Sequence, residues 1–273
     1  MSGPSGVPAV DVLIPTFRRP TALAVTLASL VGQTHPAFRV VVSSQSPEEE
    51  PIFAAEADAV ARVLRIRGRP VETHRHLPRR GLAEHRQSLL DRVEAPLALF
   101  LDDDVILEPD LIDRLVRAIR GSGAGFVGSA VVGLGFDGDV RPHEQAIDFW
   151  EGRVEPEAID PDSPEWARHR LHNAANLHHL RQRLHPVEDR LYRVAWIGGC
   201  VLFDTRCLRA VGGFGFWTQL PTDHAGEDVE AQLRVQARFG GAGLFPSGAY
   251  HQELPTTVPD RRVDVPHVMR RSA

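Results

Sequence analysis

The sequence predicts an α/β protein built on a mainly parallel sheet with helices on both faces. Apolar runs of strand length alternate with segments of helical spacing through the first hundred residues, and the runs end in polar turns. A further observation bears on where function would sit. "LFLDDDVILEPD", Leu99 to Asp110, places Asp102, Asp103 and Asp104 side by side directly after one apolar run. In open sheets of this kind, ligands bind beyond the carboxyl ends of the strands. Three adjacent carboxylates repel one another. They therefore mark either a solvated acidic turn or a site for a cation, since hard divalent ions take carboxylate oxygens as ligands.

The elements follow in order. "VDVLIPT" reads as a strand ending at Pro15, and "TALAVTLASLVGQ", begun by Pro20 and Thr21 with a glycine near its end, as a helix. "FRVVVSS" is a second strand, "PIFAAEADAVARVLRI" a second helix and "VETHRH" a short third strand. "GLAEHRQSLLDRV" is a third helix, and "PLALFL" the fourth strand, which delivers the aspartates. A helix from about Pro109 to Arg120 and a strand "GFVGSAVVG" come next. A long polar stretch, roughly 136–191, shows no clear strand; within it "SPEWARHRLHNAANLHHLRQRL" reads as one helix with Ser163 as N-cap and Pro164 in its first position. "VAWIGGCVLFD" is a strand with a double glycine, "AGEDVEAQLRVQARFGG" a helix with an acidic first turn, and "GLFPSGAYHQE" a last strand. Neither an internal repeat nor a low-complexity tract interrupts them.

Composition narrows the function classes. At 273 residues, with 42% hydrophobic and 25% charged residues, the chain has the make-up of an ordinary globular protein large enough for a sizeable core. Its net charge of -5 gives no basic field of the kind that gathers nucleic acid. No lysine occurs, so every basic side chain is arginine or histidine. Cys200 and Cys207 are too few for a disulfide framework or a zinc site and read as buried free thiols. "MSGPSGVPAV" has neither a charged n-region nor an apolar h-region, and no apolar run reaches the ~20 residues that span a bilayer. The expectation is a cytoplasmic protein, with peripheral work beside a membrane left open.

Four motifs in fixed order, "DVLIPTFRRP", "LFLDDDVILEPD", "WIGGCVLFDTRCLRAVGGF" and "GEDVEAQLRVQARFG", resemble glycosyltransferase family 2. The resemblance covers most of the chain outside the polar stretch. It implies a GT-A fold, a Rossmann-like and mainly parallel central sheet flanked by helices, in one domain over 1–273. About 8–106 would bind the nucleotide sugar and about 107–273 the acceptor, with a helical insertion at about 136–191. It implies transfer of a sugar from a nucleoside-diphosphate sugar to an acceptor hydroxyl on a glycan, a lipid-linked sugar or a small molecule.

The same resemblance assigns roles. Asp104 would ligate manganese or magnesium, Asp102 would reach the ribose or the metal through water, and Asp103, in the same donor-binding turn, would point away along it. A divalent metal would stabilise the diphosphate charge that develops as the sugar leaves. Asp228 matches the family's acidic pair and would take the acceptor's proton, and Glu227 would orient the acceptor. The plainer alternative is that both carboxylates favour the positive start of the following helix, which would keep a base there ionised. With no enzyme nucleophile in view, inversion at the anomeric carbon follows.

Pro15, Thr16, Phe17 and Arg18 match the first-strand turn that meets the base. The family's usual acidic residue after the second strand is missing; Ser44, Gln45 and Ser46 stand there, and their hydroxyl and amide groups suit a base edge. Arg86 would meet base or phosphate, an exposed helix arginine being the alternative. Gly198 and Gly199 would let backbone approach the sugar or simply turn the chain. Trp217 would stack on a sugar or pack. His251 would complete the metal shell or touch the diphosphate. His169, His172, His178 and His179 could share a metal face, against a polar surface helix as the stronger reading.

Two other classes compete. "FLDDDVIL" also fits the haloacid-dehalogenase-like phosphatases, with Asp102 as nucleophile, but that motif sits near the N-terminus and works with a lysine, which this chain lacks. The missing lysine and the turn "PTFRRP" likewise weigh against a sugar nucleotidyltransferase. A non-catalytic nucleotide-sugar binder on the same fold is the third reading, and it would not need the acidic pair.

Overall fold

The computed structural model describes residues 9–184, 188–258 and 260–271; the first eight residues of the segment read for an export signal lie outside them. β1 (Val10–Thr16) and β2 (Phe38–Ser44) are buried along their whole length, as β-branched runs covered on both faces must be. With β3 (Val71–Arg75) and β4 (Leu97–Leu101) they pair in parallel in the order β3-β2-β1-β4. Parallel neighbours need crossovers, and three helices supply them: α1 (Pro20–Val31), α2 (Ala55–Ile66) and α3 (Leu82–Leu90).

Side chains of β1 alternate between two cores. Val10, Val12 and Ile14 pack with Leu23 and Leu27 of α1 and Ala61 and Leu64 of α2, whereas Leu13 packs with Ala83 and Leu89 of α3. Asp11, fully buried, meets Arg39 in register on β2 through bonds of 2.9 and 2.7 Å and also accepts the Glu94 and Ala95 N–H groups. The hydrogen bond to Asp11 outweighs the cost of burial and holds the Arg39 guanidinium firmly charged.

The second half extends the same sheet. After β5 (Val105–Leu107) and α4 (Leu111–Ser122) come β6 (Phe126–Gly128), β7 (Val131–Val132), α5 (Asn176–Arg183) and β8 (Arg190–Tyr192). β9 (Cys200–Asp204), α6 (Thr205–Ala210), α7 (Glu227–Phe239), β10 (Gly241–Phe245), β11 (Ala249–His251) and α8 (Val265–Arg271) follow. The large sheet has the order β3-β2-β1-β4-β9-β6-β10-β8, with β9 antiparallel to β4 and β6, and β8 antiparallel to β10. A second sheet, β5-β11-β7, sits beside it.

Several expectations are corrected. "GFVGSAVVG" and "GLFPSGAYHQE" are each two strands, split between the sheets as β6 and β7 and as β10 and β11. Buried hydroxyls explain the split. Ser129 and Ser247 meet at 3.1 Å, and Ser247 Oγ donates to the Ala130 carbonyl (2.6 Å) and accepts the Ala249 N–H (3.2 Å), so side-chain bonds replace the ladder where both segments leave the large sheet.

The single helix expected from Ser163 is instead a 3-10 helix, Pro164–His172, and α5, separated by Ala174 in the left-handed region at φ 46°. Asn173 bonds Glu144 (3.0 Å) and buried Asn176 bonds the Arg170 carbonyl (3.2 Å), taking polar groups that a continuous helix would pair internally. Pro164 opens the 3-10 helix as expected, but the Ser163 hydroxyl makes no cap bond. The polar stretch does contain a strand, β8, short enough to escape periodicity. The four histidines do not share a face: His172 bonds the Tyr192 hydroxyl, His169 stacks on Trp196 and His179 bonds the Asp137 carbonyl. Among the described residues no group of three or more potential ligands is clustered for a metal.

His85 of α3 is buried against Ser43 (2.9 Å). Burial first, then the charges of His76 and Arg86, push its pKa down to about 3. The fold therefore refuses a proton that the unfolded imidazole accepts below about pH 6.5. Relative to His85→Gln, the wild-type chain should lose about 1.4 kcal/mol of stability per pH unit as pH falls from about 6.5 towards 3. Urea unfolding of both proteins across that range measures the difference, and a constant difference would contradict the burial argument.

Candidate active site

Segments from both halves meet where the parallel strands end, around a cleft of about 800 Å³. β1 contributes Pro15, Thr16, Phe17 and Arg19; β2 contributes Gln45; the turn after β4 contributes Asp102 to Asp104. Gly198 and Gly199 precede β9, Glu227 and Asp228 start α7, and His251 ends β11. The sheet order places β1, β4 and β9 side by side, so loops distant in sequence become neighbours.

At the centre lies Arg86, 4% exposed, whose Nε donates to Glu227 Oε1 (2.8 Å) and whose Nη2 donates to Asp102 Oδ1 (2.9 Å). Burial opposes its charge, but Asp102, Glu227 and Asp228 outweigh that and hold the guanidinium well above its ordinary pKa. Arg86 is thus not an exposed helix arginine: it lines the cleft and pairs the two acidic motifs. Glu227, 3% exposed, is correspondingly held by Arg86.

α3, which carries Arg86, is seated by His224. The Ala83 N–H donates to His224 Nε2 (3.1 Å), while Nδ1 lies 2.8 Å from the Pro221 carbonyl, so the imidazole caps the helix start. The cap requires glycine at position 81: φ is 103°, and a Cβ there would stand 2.5 Å from the His224 ring.

The acidic turn is partnered residue by residue. Asp103 accepts from Thr16 Oγ1 (2.6 Å) and lies 3.5 Å from Arg19 Nη1. Burial, with the Asp104 charge adding to it against the Thr16 bond, pushes its pKa up to about 6. Asp104 accepts from Arg19 Nη1 (2.5 Å), and His251 Nε2 lies 3.6 Å from the same oxygen. Arg19 also donates to the Pro255 carbonyl, tying the segment after β11 to the turn. A carboxylate oxygen and an imidazole nitrogen at one corner are donors that suit a manganese or magnesium ion, with phosphate oxygens and water supplying the rest. Such an ion would replace Arg19 on Asp104 and would need His251 to offer Nε2, with the ring proton moved to Nδ1, which now accepts the Glu253 N–H (2.7 Å).

Asp228 is partly buried on the cleft wall and accepts the Val229 N–H. Burial, reinforced by the Glu227 charge, raises its pKa well above the carboxylate range despite Arg86. The expectation that the helix start alone keeps it ionised is therefore corrected, since desolvation and a like charge exceed the helix effect.

On the nucleotide side, Gln45 is 4% exposed and its Nε2 has no hydrogen-bond partner among the described residues. Phe17 lies under Arg79 (4.2 Å). Gly199, at φ 77°, lies so close to Val131 that a Cβ would meet it at 2.7 Å, and its carbonyl accepts the Asp102 N–H (2.9 Å). Gly198 has room for a Cβ.

Two expectations fail on placement. Arg18, in the left-handed region at φ 54°, sends its side chain out to Glu50 (2.9 Å), and it is Arg19 that enters the cleft. Trp217, in a 3-10 turn over Gly215–Gln219, packs against the core and does not line the cleft. Trp166 and Trp196 line it instead. Sequence reasoning also missed Arg19, His85 and His224. "FRRP" offered Arg19 beside Arg18, but no local pattern links His224 to residues 81–83.

Residues 8–257 match the protein family described as Glycosyltransferase like family 2. No protein of curated function matches the chain in sequence. Among solved structures, the fold is similar to S. aureus TarS 1-349, with a TM-score of 0.58 and 15% identity over 89% of this chain and 60% of that one. The same fragment in complex with UDP-GlcNAc gives 0.54 and 15%, covering 91% and 60%. The mannosyltransferase PcManGT from Pyrobaculum calidifontis, in complex with GDP-Man and Mn2+, gives 0.56 and 18%, covering 93% and 59%. The chain thus spans about three fifths of the length of these structures, and at such identities the likeness is one of fold.

Replacing Arg86 by methionine leaves the buried Glu227 carboxylate without a cation, which should cost about 3–5 kcal/mol. The double variant Arg86→Met, Glu227→Gln should recover part of the loss because the stranded charge is gone. Urea midpoints of the wild type, single and double variants measure the coupling; additive effects would contradict it.

Proposed function

The chain belongs to glycosyltransferase family 2, and from that premise we propose that it moves a sugar from a nucleoside-diphosphate sugar to an acceptor hydroxyl, with inversion at the anomeric carbon. The observation that carries this reading is the meeting, in one cleft, of the Asp102 to Asp104 turn and the Glu227–Asp228 helix start through Arg86. About 8–106 then serve the donor and about 107–273 the acceptor, within one domain. The TarS and PcManGT structures hold UDP-GlcNAc and GDP-Man, which supports a nucleotide-sugar donor without choosing the base. A cytoplasmic location belongs to the same proposal and is supported by the free thiols of Cys200 and Cys207.

Pro15, Thr16 and Phe17 receive the nucleoside. The unpartnered Gln45 Nε2 is a donor suited to a base carbonyl, while its Oε1 accepts a ring N–H. Asp104 and His251 would hold manganese or magnesium, and Asp102 would reach the ribose or the metal through water. Bound there, the ion supplies Lewis-acid stabilisation of the departing diphosphate. Gly198 and Gly199 leave backbone open to the sugar. Asp228 takes the acceptor's proton: both carboxylates line the cleft, but Glu227 is committed to Arg86, and the raised pKa of Asp228 gives it useful proton affinity. The phosphatase reading gives way to the family match, and Asp102 is instead partner to Arg86. A binder without turnover has no use for Asp228.

Thermal shift with UDP-, GDP- and dTDP-sugars, each with manganese, magnesium or chelator, tests the donor site. A metal-dependent rise with one nucleotide, lost in Asp104→Ala, is expected, because a ligand of the folded state stabilises it. No shift with any of them would sink the reading. Asp228→Asn should reduce transfer by about 100-fold or more while keeping the nucleotide shift. Wild-type transfer should decline on acidification as Asp228 takes a proton, with a limb above the ordinary carboxylate range. Arg19→Ala should bind Mn2+ more tightly in direct titration, since Asp104 loses a competing cation.

A further inference from the structure

The geometry points to Trp166 and Trp196 as an acceptor platform and to a carbohydrate, presented as a pyranose ring, as the acceptor; this rests on the transferase reading above. Both indoles line the cleft, Trp166 from the 3-10 helix of the polar insertion and Trp196 from the run before the double glycine. Their ring centroids are 6.5 Å apart with planes at 48°, forming an angled wall. Each is braced: His169 stacks on Trp196 (5.9 Å, 10°), and His267 of α8 meets Trp166 edge-on (6.4 Å). Both pack against a small apolar cluster of Ile159, Ala195, Val229 and Leu233, the last two on α7, the helix that starts at Glu227 and Asp228. Trp196 also borders Gly198, where a Cβ would stand 3.7 Å from the indole. The wall therefore shares the cleft with the proton-accepting carboxylate of Asp228 and borders Gly198, where backbone is left open to the donor sugar.

The chemistry of this corner is mixed in a particular way. The two angled indoles share the cleft with Thr222, Asp223, Asp260 and Asp264. A pyranose carries an apolar C–H face and a rim of hydroxyls, so one ring can lie on the indoles while its edge meets the carboxylates. An alkyl acceptor would need a continuous aliphatic channel, and these carboxylates interrupt one. The polar insertion thereby acquires a role: it supplies half of the wall.

Saturation-transfer NMR on the full chain tests this, with methyl pyranosides of glucose, galactose, mannose and N-acetylglucosamine as probes and hexanol and phenol as aliphatic and aromatic controls. At least one pyranoside should bind, with saturation concentrated on one C–H face. Its affinity should fall about tenfold in Trp166→Ala and in Trp196→Ala, and less in Trp166→Phe, which keeps a ring and the packing. Absence of pyranoside binding, equal binding to wild type and both alanine variants, or tighter Trp-dependent binding of hexanol or phenol would each overturn the proposal. Thermal shift with UDP and GDP in Mn2+ on the same samples separates the two readings. A nucleotide shift retained without pyranoside binding removes the platform alone; no nucleotide shift in the wild type removes the transferase reading beneath it.

Discussion

A single buried guanidinium organises the cleft. Arg86 belongs to the first half of the chain, yet its partners are Asp102, at the end of β4, and Glu227, at the start of α7. A charge this far from water must be matched, so the fold is committed to bringing two carboxylates from separate segments to it. His224 reinforces the junction by capping the helix that carries Arg86 from the loop that leads into α7. Two independent contacts thus fix α3 against α7, and the consequence falls on Asp228. Its neighbour Glu227 is consumed by the pairing, and Asp228 remains on the cleft wall, partly desolvated and with raised proton affinity.

The same logic explains how three adjacent aspartates are tolerated. Each carboxylate has its own partner: Arg86 for Asp102, Thr16 for Asp103, and Arg19 for Asp104. In a chain without lysine, arginine's planar fork lets one side chain serve two carboxylates at once, as Arg86 does through Nε and Nη2. Arg19 further joins the acidic turn to the segment after β11, so the groups that neutralise the turn also hold the cleft's outer wall.

Much of this was legible in sequence. β1 to β4 were read nearly to the residue because buried parallel strands write their period locally, while the helices between them were read in the right places but too long, α2 beginning at Ala55 rather than Pro51 and α3 ending at Leu90 rather than Val93. Cys200 is the buried free thiol expected, whereas Cys207, also free, is only half-buried. Asp102 to Asp104, Gln45 and the Glu227–Asp228 start fall on one cleft because a strand end or a helix start is a local signal, and the sheet gathers such ends on one side. What was misread depended on partners far away in the chain. The hydroxyls of Ser129 and Ser247 split two apparent strands only because they meet each other, and Asn173 and Asn176 break a helix only because Glu144 and the Arg170 carbonyl lie within reach.

The assignment of Trp217 shows the boundary most sharply. By spacing it followed a glycine-rich motif, whereas the indoles on the cleft are Trp166 and Trp196, one from an insertion without readable period. The sequence by itself determined the fold class, the strands that end at the cleft and the identity of the two acidic motifs, because these depend on hydrophobic period and on residues adjacent in the chain. Tertiary structure alone decided which charges are spent on one another and which aromatic side chains line the cleft. Pairing and burial are properties of distance, and residues 86, 102 and 227 become neighbours only when the sheet sets β4 beside β9 and α7 closes over α3.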